Sequence, residues 1–150
     1  MASRRKGRIL AFQALYSWDA HKRNGNTSIP EGLLDFSWTS QGNDPPVPLD
    51  EEMMAFSRLL VTGTVENITA VDSMIQRHLK NWELSRLNRV DLAVLRMSVY
   101  TLMFQTDMPP SIVIDEAIGI SKDFGTDDSY RFVNGVLDGI RKTLVSTPAS

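Results

Sequence analysis

At 150 residues the chain has room for one domain, or for two small lobes sharing a core. Hydrophobic residues at 42% and charged residues at 23% exclude wholesale disorder and collagen-like repeats, and no window holds the ~18 consecutive apolar residues of a membrane helix. The absence of cysteine excludes disulfide scaffolds, thiolate zinc sites and cysteine nucleophiles, and a soluble, cytoplasmic protein is the expectation.

The net charge of −2 is unevenly spread. Residues 1–23 carry six Lys/Arg (Arg4, Arg5, Lys6, Arg8, Lys22, Arg23) against the single acid Asp19, while residues 24–79 carry two basic residues against eight acids. A basic end on a mildly acidic body points to a local electrostatic contact. No secretory signal is expected, because Arg8 and Gln13 interrupt the apolar run.

Residues 3–22 predict a helix with Ser3 as its cap and Asn24-Gly25 as its end. Apolar residues cover most of its circumference, which predicts a central position, with a polar stripe of Lys6, Gln13 and Ser17. Residues 24–50 hold four prolines and three glycines and predict a connection, linker-like over 39–49. Within it, Ser28 and Glu31 have capping-box spacing ahead of Leu33, Leu34, Phe36 and Trp38, predicting a short helix. Glu51 and Glu52 suit a helix start, and one helical pattern runs from Phe56 to Leu79, with Gly63 placed for a bend or a close crossing. A further helix is expected over about 84–105, stopped by Pro109-Pro110. Ser111 is the expected cap of a helix from about 112 to 124 ended by Gly125, and Thr126 or Asp127 of a last one to about 143. The predicted fold is all-α, about seven helices in two packed subdomains, split near 81/82.

Little here supports catalysis. His21 and His78 are isolated, no phosphate-binding glycine loop or nucleophile elbow occurs, and no catalytic residue, metal or cofactor is expected. The pairs Asp115-Glu116 and Asp127-Asp128 fit dipole compensation in first helical turns better than acid–base work.

Arg4, Arg5, Lys6 and Arg8 are more informative, since cations at a helix N-terminus oppose the macrodipole at ~0.3–1 kcal/mol each. An anionic partner reverses that preference; a solvated tail is the plain alternative. In the last helix Phe132 lies at the rim of the inward stripe Val133, Val136, Leu137 and Ile140, flanked by Gly135 and Gly139. It is either a base-stacking ring or a peripheral core residue whose glycines admit another helix. Arg89 with Arg96, and Asp91 with Ser98, draw two polar lines on an otherwise apolar helix, readable as solvent seams, buried pairs or, through Asp91, a docking contact.

Three segments together resemble the NusB family of transcription antitermination factors. They are Arg4-Arg5-Lys6-Gly7-Arg8 leading into Gln13-Ala14-Leu15-Tyr16; Leu87-Asn88-Arg89-Val90-Asp91 with Val94-Leu95-Arg96; and Ile114-Asp115-Glu116-Ala117 continuing through Phe124-Gly125 and Asp128-Ser129 into Phe132-Val133-Asn134-Gly135-Val136-Leu137-Asp138. The resemblance implies an all-α, non-enzymatic RNA-binding protein. Its implied partners are the small-subunit ribosomal protein acting as NusE, boxA-type single-stranded RNA and the RNA polymerase antitermination complex, on ribosomal RNA operons. It implies RNA contacts by Arg4, Arg5, Lys6, Arg8, Asp128 and Phe132, and NusE contacts by Tyr16 and Asp91. Gly7 stands where alanine is more usual, which lowers the expected helicity of residues 4–8, and Asp115 where asparagine is frequent.

Four cations on four single-strand phosphates give a salt slope near −3, so binding weakens about 50-fold between ~50 and ~200 mM salt. Weak RNA binding alone and tighter binding beside a basic partner are therefore expected, with Asp128 acting as a brake. The rival readings are a protein-docking module that never touches RNA, and a NusB-like domain preceding an rRNA methyltransferase.

Overall fold

The structure is a computed structural model and describes residues 2–23, 25, 28–36, 51–80 and 82–146. Its six α-helices are α1 (Ala2–Arg23), α2 (Glu51–Glu66), α3 (Ile68–Arg77), α4 (Arg89–Phe104), α5 (Pro110–Phe124) and α6 (Ser129–Ser146), with 3-10 turns at Leu33–Asp35 and Leu84–Arg86. No strand occurs among the described residues, so the chain is all-α. The linker-like segment 39–49 and Trp38 lie outside them. None of the described helices is long and apolar enough to cross a membrane.

The middle of the molecule is α4. Every residue from Asp91 to Leu102 is buried, and α4 packs against α1, α2, α3, α5 and α6. A helix apolar on nearly all sides has to be covered on nearly all sides, and five neighbours do this. Alongside it, α1 buries Leu10, Ala11, Phe12, Ala14, Leu15 and Trp18. It stays helical through Gly7, so the glycine does not interrupt the basic opening.

Several ends differ from expectation for local reasons. Capping-box spacing at Ser28 and Glu31 yields only a 3-10 turn, because Gly32 takes φ +84°, the left-handed region that an α-helix cannot continue through. The pattern from Phe56 to Leu79 breaks at Asn67, whose side-chain amide donates to the Gly63 carbonyl at 2.8 Å, offering the chain an alternative to the next helical turn. Proline opens α5 instead of only ending its predecessor. Pro110 is the first helical residue, where its missing N–H costs nothing, and Ser111 lies inside. Asn88 caps α4 by accepting from Val90 N–H at 2.8 Å. Thr126 opens a turn ahead of α6, its N–H donating to Ser129 Oγ at 2.9 Å.

Gly63 makes a close crossing, not a bend. A Cβ there would lie 2.2 Å from Cζ and the hydroxyl of Tyr100 on α4, a ring that is itself buried. Gly63→Ala is expected to destabilise by about 1–3 kcal/mol in urea unfolding, although alanine is the better helix former by ~1 kcal/mol, because overpacking outweighs propensity. Stability equal to or above that of the parent chain would refute this crossing.

Candidate nucleic-acid and partner interface

The four cations of the opening turns are not equivalent. Arg4 and Lys6 are exposed and make no ion pair among the described residues. Arg8 is only 7% exposed. Its guanidinium lies 5.4 Å from the centre of the Phe56 ring on α2, and Arg4 sits 5.0 Å from the same ring. Burial lowers the Arg8 pKa below the ordinary guanidinium value, Glu116 opposes that fall and Arg4 adds to it. Phe56 reaches this position because residue 7 has no side chain: a Cβ on Gly7 would stand 2.7 Å from the ring. Ser57 Oγ donates to the Gly7 carbonyl at 2.8 Å, tying α2 to α1 at the same level.

Arg5 turns to α5. Nη1 donates to Glu116 Oε2 at 3.3 Å and Nη2 to Asp123 Oδ2 at 3.4 Å, with Gly119 between them along the helix. The contacts of the opening therefore run to α2 and α5. Of the proposed RNA-facing pair, Asp128 is exposed just ahead of α6, and Phe132 is half-buried against the core. The two glycines beside Phe132 divide its two readings. Space above Gly135 is open, whereas Gly139 is covered by the ring of His78, 3.1 Å from where a Cβ would be. Asn134 is exposed.

The two partner-facing candidates differ in exposure, Tyr16 lying at the surface and Asp91 buried. Tyr16, 38% exposed, lines a groove of about 370 Å³ with Phe12, Gln13, Ser17, Val90 and Phe124. Arg89 stacks on the Tyr16 ring at 4.7 Å and lies 3.7 Å from Asp19. Asp91, beside Val90, is 7% exposed, and burial pushes its carboxyl above the usual range against a hydrogen bond from Ser129. Asp91 Oδ1 and two nitrogens of Arg89, Nε and Nη2, are buried without a hydrogen-bond partner among the described residues. Such groups cost ~1–3 kcal/mol each until something pairs with them.

The polar line from Arg89 to Arg96 ends in a largely buried network of three charges. Arg96, 3% exposed, donates through Nη1 to Asp19 Oδ1 at 2.9 Å, and through Nε and Nη2 to Asp72 at 2.9 and 3.0 Å. Burial works against its charge, but Asp72 and Asp19 more than offset that and raise the pKa. Asp19 is likewise held below the usual carboxylate range: burial opposes this, and hydrogen bonds from Arg23 and Arg96 prevail.

Of the remaining titratable candidates, His78 has a structural role. His78 bridges the Met74 carbonyl at 3.0 Å and Thr143 Oγ1 at 2.9 Å, joining α3 to α6. Asp115 and Glu116 lie beyond the first turn of α5, so dipole compensation does not account for them. Asp127 and Asp128 directly precede α6. Sequence reasoning missed Phe56, the Glu116–Gly119–Asp123 stripe, Arg89 on Tyr16, and Tyr130 with Lys122 and Arg131 against its ring. The stripe was legible as i, i+3, i+7 spacing, but its guanidinium partner lies more than a hundred residues away in the chain.

The fold defined here, an all-α bundle around a buried fourth helix, is shared with solved NusB structures. The chain spans 93% of its length on the T. maritima NusB structure and 90% of that chain, with TM-score 0.75 and 35% identity. A structure of antitermination factors NusB and NusE in complex with dsRNA aligns over 95% of this chain and 98% of its own, with TM-score 0.79 and 27% identity. Transcription antitermination protein NusB of Treponema denticola is 52% identical over 138 residues, 92% of this chain and 95% of that protein. The NusB family profile matches residues 5–142, and the chain belongs to the NusB family.

Proposed function

We propose that this chain is a transcription antitermination factor that pairs with the small-subunit ribosomal protein acting as NusE and, jointly with it, binds boxA-type single-stranded RNA. In this reading it acts in the cytoplasm within the RNA polymerase antitermination complex on ribosomal RNA operons, and its role is binding, not catalysis. The observation that carries the reading is the placement of Arg4 and Lys6, exposed in the opening turns of α1, where they oppose the helix dipole. A phosphate strand gives those charges a purpose that helix stability does not.

Asp128 and Phe132 supply the rest of the RNA side, one as a repulsive charge and the other as a ring beside the open space at Gly135. Tyr16 and Asp91 face the ribosomal protein. The apolar groove at Tyr16 and the unmatched oxygen of Asp91 support a protein partner that brings a hydrogen-bond donor. Three of the four cations have intramolecular engagements, Arg4 and Arg8 on the Phe56 ring and Arg5 on two acids, so the free chain is expected to bind RNA weakly.

Fluorescence titration of a labelled boxA-type RNA tests the reading. Weak binding by the chain alone, much tighter binding with the ribosomal protein, and loss of affinity with rising salt are expected. No RNA-dependent signal in either condition would leave a protein-docking module and overturn it.

A further inference from the structure

On α5, Glu116, Gly119 and Asp123 lie at i, i+3 and i+7, one stripe along the helix. The Arg5 guanidinium occupies this stripe, with one nitrogen on each acid and its plane against the glycine. A Cβ at Gly119 would stand 2.5 Å from Nη2, 2.6 Å from Nη1 and 2.9 Å from Cζ. The seat therefore has two charged walls and a floor that only glycine leaves open. Arg5 keeps about 40% of its side chain exposed there and Asp123 about 60%, so solvent screens the pair and the hold is weak.

We infer that Glu116, Gly119 and Asp123 form an internal guanidinium seat that competes with RNA for Arg5, so that these three residues set RNA affinity without touching the RNA. This inference rests on the RNA-binding reading above. The acids stand in for phosphates while no strand is bound. Capture of a strand exchanges two carboxylate contacts for a phosphate contact, and the net gain from Arg5 is correspondingly small. Glu116 also favours the charge of Arg8 at a distance, without an ion pair to it among the described residues.

Gly119→Ala separates this from simple repulsion between acids and RNA, because it changes no charge. The new methyl group meets the far end of a flexible side chain, so Arg5 leaves the seat while α5 gains a better helix former. With the ribosomal partner present, Gly119→Ala is expected to bind boxA-type RNA about two- to fivefold more tightly, the range set by weak exposed ion pairs. The salt slope is expected to change by less than about 0.7, because Arg5 reaches a phosphate in both complexes and only the free state differs. Glu116→Gln with Asp123→Asn is expected to act in the same direction, and to lose its effect when Arg5 is already alanine. Unchanged or weaker binding by Gly119→Ala, with the parent chain binding RNA, overturns the seat and leaves the RNA-binding reading standing. Failure of the parent chain to bind RNA beside its partner overturns both.

Discussion

Replacing Arg96 by methionine is expected to cost about 3–5 kcal/mol of folding stability, because it removes one member of a buried charge network and strands the others. Asp19 and Asp72 reach Arg96 from α1 and α3, and among the described residues no other side chain is seen to bridge them. Asp19 keeps Arg23 at 2.8 Å, and Asp72 is one-fifth exposed, so the loss belongs toward the lower end of that range. The midpoint of thermal unfolding is expected to fall by roughly 6–12 °C, at 2–4 °C per kcal/mol for a domain of this size. The pH dependence has a definite sign. Asp19 has a folded pKa below its unfolded one, so its contribution is present above the ordinary carboxylate range and is lost as pH falls through the folded value. The gap between parent and Arg96→Met is therefore expected to narrow below about pH 4, near the unfolded aspartate value. Adding Asp19→Asn and Asp72→Asn to Arg96→Met is expected to recover part of the loss, since no stranded carboxylate remains. A midpoint within a degree of the parent at pH 7 would show that the three charges are not coupled.

Neutralising Arg4 and Lys6 together is expected to weaken RNA binding about 100-fold in the presence of the ribosomal partner, at about 1.5 kcal/mol for each charged contact removed. The salt slope is expected to become shallower by about 1.4, two single-strand phosphates' worth. Folding stability is expected to stay within about 0.5 kcal/mol, since both side chains are exposed and the dipole contacts relieved by neutralisation offset the loss of the Arg4 contact with the Phe56 ring. Neutralising Arg8 gives the opposite profile. Its guanidinium is buried against Phe56 and Met108, so thermal stability falls and the salt slope changes little. Circular-dichroism melting and RNA titration on the same preparations read both quantities. A salt slope unmoved by the Arg4 and Lys6 changes would remove these residues from the RNA path.

That contrast measures how far the site was legible before the fold. The family of basic residues was plain in the sequence, because their charge conflicts with the helix they open. Their unequal surroundings were not. Burial of Arg8 depends on Phe56 across an α1–α2 contact, and seating of Arg5 depends on acids 111 and 118 positions away. The helices themselves followed from periodicity, α4 most clearly, since an apolar stripe on every side leaves only the interior. Periodicity runs straight through Asn67, where a side-chain amide ends α2, and capping-box spacing does not register Gly32, whose left-handed backbone opens a 3-10 turn in place of an α-helix. Pro110 exposed a different limit, for the same residue type stops one helix and starts the next.

The contact between Gly7 and Phe56 makes these two positions a compensating couple. An alanine at position 7 needs a smaller or displaced residue at 56, and whichever chain makes that exchange also loses the aromatic shelf under Arg4 and Arg8. Grafting either residue into a relative without its companion would leave a void or a clash. The reach of the opening cations is thus inherited through a pair of volumes, not through the charges alone.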